Sequence, residues 1–205
     1  MLVQLPQLIS KHDVLTGSHV QLEPLSAQHR AGLRQAADYE QIWHYMPYNA
    51  TKDLFDPWFN KCLDIMGSGE QFIYVVRSKR CNSILGATAF YDLELENKRL
   101  SLGYSWYSPN VWGSAVNPES KLLMLTLAFE GCSFNRVELG ADSRNRHSCN
   151  AIKKLGATEE GVLRQHMILH DGAVTDTVVF SILASEWHVI KNRLIKRVQS
   201  IYAGR

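Results

Sequence analysis

The chain has 205 residues, of which 45% are hydrophobic and 20% are charged, so it is long enough for one domain with a sizeable core and short for two. Its 22 basic and 20 acidic residues leave a net charge of +2, which gives no electrostatic reason to expect nucleic acid or a membrane surface as a partner. No apolar run is as long as a membrane span, the first residues lack a secretory pattern, and the four cysteines show no paired spacing. We therefore expect a cytoplasmic protein with reduced thiols.

The first half of the chain alternates strand and helix patterns. Val20 and Leu22 alternate with polar residues, which predicts a strand, and Pro57 in the first turn of a segment with one apolar face predicts a helix start. Aromatic residues between the two predicted helices, such as Trp43 and Tyr45, are expected to pack in the core. The predicted elements are, in order, an arm over residues 1–17, a strand over 19–25, helices over 27–37 and 53–66, and strands over 71–77 and 83–93.

The centre of the chain predicts a strand, a loop and a helix. Residues 100–107 alternate large apolar with small residues until Pro109, and a broad apolar band at helical spacing begins at Val116. The loop Asn110–Ala115 contains small residues and precedes a helix, where free amides and the helix dipole favour an anion. The alternative is a helix start with no ligand. The spacing matches neither a nucleoside triphosphate loop nor a dinucleotide fingerprint, so a ligand would need only a small pyrophosphate cradle.

The last third predicts a further strand, a short helix, a hairpin and a closing helix. Asn145 can cap a helix that runs to Leu155, and Gly156 can take the left-handed conformation that ends it. Strands over 162–169 and 174–183 flank a turn at Asp171-Gly172, and a helix follows from residue 185. Together the elements predict an α/β (α+β) fold with a mixed, mostly antiparallel sheet of about 6–7 strands flanked by helices.

Three motifs together resemble one family. Asn110-x-x-Gly113-x-Ala115 is similar to the Gln/Arg-x-x-Gly-x-Gly/Ala signature with which the GNAT superfamily of N-acetyltransferases binds the pyrophosphate of acetyl-coenzyme A. Residues 136–161, with their Asn-x-x-Ser, Leu-Gly-Ala and Glu-Gly groups, resemble the next GNAT unit, and residues 171–182 resemble the ending of its ribosomal-protein-alanine acetyltransferase (RimJ/RimL-like) branch. The resemblance implies one GNAT domain over 1–205, with its core at about 18–187, a splay between the central strands and a C-terminal helix at about 185–199.

The resemblance also implies acetyl-coenzyme A as cosubstrate and assigns residues to it. The pyrophosphate would rest on the amides of residues 112–115, and the pantetheine arm would pair with the backbone of the preceding strand. Asn145 is either a cap alone or also a coenzyme-site residue, and Ser148 is either a first-turn helix serine or the acid or thiolate stabiliser near the thioester sulfur. The implied coenzyme-binding residues are Tyr104, Trp106, Tyr107, Asn110, Trp112, Gly113, Ser114, Ala115, Asn145 and Ser148.

The general base is not supplied by the resemblance, because the glutamate of some members corresponds here to Met167. Acidic or imidazole candidates are Asp92, Glu94 and His166, and a water chain or an already neutral amine is the alternative. No metal is expected, because His166 and His170 lie four apart on a predicted strand and are therefore separated by roughly 13 Å. A covalent acyl-enzyme on Cys149 is disfavoured, since the spacing places no histidine beside it.

We therefore expect direct attack of a primary amine on acetyl-coenzyme A in a ternary complex, with Ser148, Glu94 and His166 as catalytic candidates. The acceptor is a protein N-terminal amine or a small-molecule amine. The alternatives are an acyl-coenzyme A sensor without catalysis and an interaction protein that binds no coenzyme. Selectivity for the acceptor is expected to come from residues 26–68 and the last hairpin. The resemblance implies that the aromatic segment around Trp43 and Tyr45 borders the acceptor site, which is the alternative to a place in the core. The exposed aromatic residues and the last hairpin are compatible with a homodimer.

Overall fold

The computed structural model describes residues 14–203, so most of the predicted arm over residues 1–17 lies outside the described part. The strands are β1 (Leu15–Thr16), β2 (Val20–Pro24), β3 (Phe72–Ser78), β4 (Ile84–Glu94), β5 (Arg99–Tyr107), β6 (Arg136–Asp142), β7 (Thr158–Ile168) and β8 (Val174–Leu183). The α-helices are α1 (Arg30–Ala37), α2 (Glu40–Trp43), α3 (Phe55–Ser68), α4 (Val116–Thr126), α5 (Arg146–Lys153) and α6 (Ala184–Ala203). Short 3₁₀ turns at Ala27–His29, Lys52–Leu54 and Pro109–Val111 precede α1, α3 and α4, and a π-helical segment, Leu127–Gly131, extends α4.

All eight strands form one sheet in the order β1-β2-β3-β4-β5-β6-β8-β7. The β5–β6 pair is parallel and the others are antiparallel, so the predicted mixed, mostly antiparallel sheet is confirmed. The count of eight exceeds the predicted six to seven. One reason is that β1 has two residues, too few for alternation to reveal.

The two central strands part soon after they meet. β5 and β6 are paired only at Arg99↔Arg136, Leu100↔Val137 and Ser101↔Glu138. Beyond Ser101, the backbone groups of β5 that point toward β6 have no strand partner, and the predicted splay is confirmed. This open edge is a template for an extended ligand to add hydrogen bonds.

Two hydrophobic clusters pack on the two faces of the sheet. One lies beneath α4 and α6 and includes Leu22, Phe90 and Phe180, and the other lies beneath α1 and α3 and includes Trp43 and Phe59. The prediction that Trp43 is a core residue is confirmed, because its ring is fully buried and its Nε1 donates to the Ala37 carbonyl. Within residues 14–203, no helix combines the length and hydrophobicity needed to cross a bilayer.

Strand β5 departs from the regular alternation that its sequence predicts. The strand itself is confirmed, but its register against β4 shifts between Ala87 and Ala89, where Tyr104 and Ser105 together face Thr88. Tyr104 has φ +47°, in the left-handed region that a bulky residue rarely occupies. Because this bulge adds one residue, side chains beyond it exchange faces of the sheet.

Candidate active site

A cleft of about 870 Å³ opens where β5 and β6 part. One wall is the second half of β5, and the loop before α4 and the first turns of α4 close one end. The opposite wall is the end of β6 with α5, and α2 and the segment after it border the other end. The cleft position follows from the sheet topology, because strands that separate leave backbone and side chains open at the carboxyl end of parallel strands.

The loop before α4 uses some of its own amides. The Trp112 amide donates to the Pro109 carbonyl and the Ser114 amide donates to the Val111 carbonyl, at 3.1 and 3.2 Å. The Ser114 hydroxyl also donates to Val111, at 2.5 Å, and accepts from the Val116 amide. The loop therefore closes on itself through the residues that the sequence suggested for a phosphate.

Two other amides of the same loop donate no hydrogen bond to the described residues, and of these two the amide of Gly113 is the one exposed to the cleft. Among the described residues, the amides of Gly113 and Ala115 have no acceptor. Gly113 adopts φ +70°, and a Cβ added there would meet nothing within 4 Å, so this residue faces open space. Trp112, Gly113 and Ser114 line the cleft, whereas Ala115 is fully buried and Asn110 is exposed outside the lining. Together with the α4 dipole, the exposed amide of Gly113 can bind an anion of the size of a phosphate group.

Helix α5 presents its first turn to the cleft. The Asn145 side chain accepts a hydrogen bond from the Ser148 amide at 3.0 Å, so the predicted cap is confirmed. Asn145 and Ser148 both line the cleft, and within the described part of the chain the Ser148 hydroxyl has no hydrogen-bond partner. The rings of His147 and Trp112 lie 6.3 Å apart and narrow the mouth from opposite walls. The sequence analysis missed His147, although its place inside the Asn-x-x-Ser group was a signal.

The three base candidates, Asp92, Glu94 and His166, do not line the cleft. Glu94 is half-exposed and lies 3.7 Å from the Arg99 guanidinium. Asp92 accepts a long hydrogen bond from the Ser101 hydroxyl. His166 is exposed, and its Nδ1 lies 3.1 Å from the Thr177 hydroxyl. A catalytic role for Glu94 or His166 stays a prediction that the geometry of the cleft does not favour.

The carboxylates that do line the cleft are Glu40 and Asp142. Asp142 is 9% exposed and its carboxylate lies 2.7 Å from the Arg144 guanidinium. Burial acts to raise the pKa of Asp142, but hydrogen bonds from Arg144 and Thr175 outweigh burial and lower that pKa. Asp142 is therefore a weak proton acceptor that is held in place by its ion pair. The sequence analysis missed both carboxylates, since each reaches the cleft only through tertiary packing.

A lysine is buried in the cleft wall. Lys121 on α4 is 5% exposed, and its Nζ lies 2.6 Å from the Ser105 hydroxyl and 3.2 Å from the Thr88 hydroxyl. Within residues 14–203, no carboxylate forms an ion pair with Lys121. Burial lowers its pKa to about 7. The signal in the sequence was its spacing of three and four residues from the buried Met124 and Leu125, which places it on the core face.

Aromatic rings border the end of the cleft that is farther from α4. Tyr45 and Met46 line it beside Tyr104, whose ring lies 4.6 Å from that of Tyr91 and 6.0 Å from that of Tyr48. Burial raises the pKa of Tyr48 and of Tyr104, so both phenols are neutral at ordinary pH. This end therefore combines aromatic rings and neutral phenols with the exposed side chains of Glu40 and His44 at its rim.

Metal and thiol chemistry find no support in the described residues. Within residues 14–203, no three His, Cys, Asp or Glu side chains are grouped to hold a metal ion. The Cys149 thiol contacts the Asp142 carbonyl at 3.7 Å, and burial raises its pKa, so its thiolate fraction is small. The four cysteines are free.

Known proteins share this fold and part of this sequence. The model of the acetyltransferase (GNAT) domain family matches residues 19–158. The Bacillus subtilis (strain 168) protein provisionally named ribosomal N-acetyltransferase YdaF is 29% identical over 105 residues, which are 51% of this chain and only 56% of that protein. A protein of T. thermophilus, provisionally described as an acetyltransferase, has a crystal structure that is 30% identical and covers 91% of this chain and 97% of its own, with a TM-score of 0.82.

The structure of Mycobacterium smegmatis RimJ in complex with CoA-disulfide covers 90% of this chain and 91% of its own, with a TM-score of 0.74 and 18% identity, and shows a likeness of fold alone. The predicted membership of the GNAT superfamily is confirmed by the family match. The family model spans residues 19–158, more than half of the chain, and the parted central strands have the expected form. The chain belongs to the acetyltransferase (GNAT) family.

Proposed function

We propose that this protein moves the acetyl group of acetyl-coenzyme A to the α-amine at the N-terminus of a protein, by direct attack within a ternary complex. The observation that carries the proposal is the cleft between β5 and β6, which joins an open strand edge to an anion-binding helix start. An open strand edge can pair with the amides of a pantetheine arm, and the helix start can bind the pyrophosphate.

The residues of the cleft fit such a coenzyme. The open amide of Gly113 would donate to the pyrophosphate, the α4 dipole would stabilise its negative charge, and the free space at Gly113 admits it. The backbone of residues 102–106 has no strand partner on the side that faces β6 and runs along the cleft from this loop, so the arm would lie between β5 and α5. Ser148, on the opposite wall, would then be a donor to the departing sulfur.

The chemistry needs little from a general base when the acceptor is an α-amine. The nitrogen lone pair attacks the thioester carbonyl and a C–N bond forms. Collapse of the tetrahedral intermediate breaks the C–S bond and leaves the electron pair on sulfur, and the nitrogen loses its extra proton to water. An α-amine has a pKa of about 7.7–8.0, against about 10.4 for a lysine side chain, so a large fraction is already neutral near pH 8. The Asp142 carboxylate is ion-paired with Arg144 and is a weak proton acceptor. The cleft is therefore better suited to a weakly basic amine, which is largely neutral before it attacks.

The acceptor class rests on two supports. The named B. subtilis relative is provisionally a ribosomal N-acetyltransferase, and the cleft of this chain is open at the α2 end, where Glu40, His44 and Tyr45 border it. A chain terminus can enter from that end and place its amine against Tyr104, whereas the coenzyme occupies the other end. A coenzyme-binding module without catalysis is the second candidate, and the lack of a free carboxylate base beside Ser148 favours it.

The test compares acceptors of matched sequence. Acetyl-coenzyme A would be incubated with three peptides: one with a free N-terminus, one with an N-terminus blocked and a lysine present, and one with both amines blocked. Released thiol and peptide mass would be measured. We expect acetylation of the first peptide alone, with a rate that rises between pH 6.5 and 8.5 as the α-amine loses its proton.

Three other outcomes are informative. Acetylation of the lysine peptide at an equal rate contradicts the acceptor class. Saturable binding of acetyl-coenzyme A without transfer to any protein or small amine favours the non-catalytic module. No binding at millimolar acetyl-coenzyme A contradicts both.

A further inference from the structure

Lys121 is the buried titratable group of the cleft that the reaction as described does not use. Its Nζ contacts two hydroxyls, those of Ser105 and Thr88, which also lie 2.7 Å from each other. A neutral amine has two N–H groups, and the two hydroxyl oxygens accept a hydrogen bond from each of them. An ammonium group has three. Within residues 14–203, the third donor has no acceptor, so the pocket is complete for the neutral form of the lysine and incomplete for the charged form.

The missing partner cannot come from the nearest acid on the same helix. Glu119 is buried, and its carboxylate accepts from the Ser18 and His19 amides and from the Tyr202 hydroxyl. It is thus turned toward β2 and α6 and away from the cleft. The other charged or titratable groups that line the cleft near α4 are Tyr107 on β5, Asp142 on β6, His147 on α5, Lys154 directly after α5 and Arg197 on α6. Asp142 is neutralised by Arg144, so no free anion of the protein faces the lysine from these elements.

The coenzyme would supply the missing negative charge. Lys121 lies one turn beyond Asn117, on the helix whose start closes the cleft, and its Ser105 partner belongs to the open edge of β5. A coenzyme bound there is a multiply charged anion whose charge lies on its phosphates, and its uncharged arm, with carbonyl oxygens that accept hydrogen bonds, would pass over the Ser105–Lys121 contact. In a water-poor interior, an approaching anion stabilises the charged form of a nearby amine.

We propose that Lys121 is a further coenzyme-binding residue, which takes up a proton from solvent when acyl-coenzyme A enters the cleft and releases it when the coenzyme leaves. The inference rests on the proposed function, because it needs the coenzyme in this cleft. The step is a simple protonation: the lone pair of the neutral amine accepts one proton, and the resulting ammonium gains the third donor that the anion can satisfy. Coenzyme affinity is therefore linked to pH through this one side chain.

The experiment is calorimetric titration with acetyl-coenzyme A, without an acceptor, at pH 8.0 in phosphate and in Tris. The two buffers differ in their heat of protonation, so the difference in binding heat counts the protons taken up. Because Lys121 has a pKa of about 7 in the free protein, it is about nine-tenths neutral at pH 8.0. We expect the wild type to take up more than about half a proton and its dissociation constant to rise up to about tenfold per pH unit above pH 8.

The variants isolate the lysine. Lys121→Met should bind with almost no proton uptake and with a dissociation constant that changes much less between pH 7 and 8.5. Lys121→Arg carries its positive charge at every pH used. It should therefore also bind the coenzyme without proton uptake, while it keeps the attraction between this positive charge and the coenzyme. Lys154→Met removes an exposed lysine from the rim of the same cleft and is the matched control, which should retain the proton uptake of the wild type.

The outcomes separate the two proposals. If wild type and Lys121→Met bind acetyl-coenzyme A and take up the same number of protons, Lys121 has no such role and the proposed function stands. If the wild type does not bind at all, the proposed function fails first. Should the Met variant not fold, loss of uptake in the Arg variant still decides the question, because an unchanged uptake there would contradict the inference.

Discussion

The burial of Lys121 makes a prediction about the free protein, without any coenzyme. The lysine has a pKa of about 7 in the folded state and an ordinary value of 10.5 in the unfolded chain, and the shift is caused by desolvation. Between these two values the unfolded chain holds about one proton more than the folded chain. The free energy of unfolding therefore rises with pH across this window, by up to about 1.4 kcal/mol per pH unit.

The perturbation is Lys121→Met, which removes the titrating group and keeps a chain of similar length. From pH 7.5 to pH 9.0 the folded lysine goes from about three-quarters neutral to almost fully neutral, whereas the unfolded lysine stays almost fully charged. The free energy of unfolding of the wild type should therefore increase by about 2 kcal/mol relative to that of the variant. The two hydroxyls left behind can bond to each other at their present separation, so the variant leaves no orphaned acceptor.

The assay is urea unfolding of both proteins at four pH values in this range, with the midpoint and the slope determined separately. Lys154→Met is the control for loss of an exposed charge, and its curve should run parallel to that of the wild type. Parallel curves for the wild type and Lys121→Met would refute the reasoning, because they would show that the lysine keeps the same protonation in the folded and unfolded states.

Three further predictions test the loop, the cap and the acid side of the pH range. Gly113→Trp should weaken acetyl-coenzyme A binding at least about tenfold, because the indole would fill the open space at this position. Gly113→Ala should lower the free energy of unfolding by about 1 kcal/mol, because of the positive φ, and should bind the coenzyme nearly normally. Equal binding by both variants would contradict the assignment of the loop to the coenzyme. Asn145→Ala should lower the free energy of unfolding by about 1 kcal/mol through loss of the cap, and Asn145→Ser should restore most of it. The hydrogen bond from Arg77 is the largest cause that lowers the pKa of Glu23 from its ordinary 4.5 to about 2. The stabilisation of the folded state by this carboxylate is therefore present above pH 4.5 and is lost as the pH falls toward 2. Between pH 4.5 and pH 2 the free energy of unfolding of the wild type should fall by about 3 kcal/mol relative to that of Glu23→Gln. Equal acid sensitivity of the two proteins would contradict this role of Glu23.

The parts of the fold that the sequence predicted are those with local causes. The Asn145 cap and the left-handed Gly156, with φ +101°, follow from residue chemistry within one helix turn. Alternation and helical spacing predicted β5 and α4, and the motifs between them predicted the loop. β7 begins at Thr158, earlier than the predicted residue 162. The prediction missed these first residues because almost all side chains of β7 are exposed, so the strand carries no apolar alternation.

The site was harder to predict than the fold, because its groups meet through tertiary packing. Glu94 and His166 were chosen as acids and bases near strand ends, but a sequence does not tell which end of a strand borders the cleft. Glu40 reaches the cleft from α2 and Asp142 from β6, and no spacing connects them. The catalytic assignments therefore depend on where the elements lie, which local patterns do not contain.

The bulge in β5 shows how one extra residue produces the buried lysine site. Regular alternation would place Leu102 and Trp106 on the same face, yet Leu102 packs in the cluster under α4 and Trp106 in the cluster under α3. The extra residue at Tyr104 exchanges the faces, so Ser105 points toward α4 and joins Thr88 in front of Lys121. The left-handed backbone of Tyr104 costs on the order of 1–3 kcal/mol, and the packed Tyr91 and Tyr104 rings offset part of that cost. The same bulge that disturbs β5 thus brings the Ser105 hydroxyl beside that of Thr88, where both contact the buried Lys121.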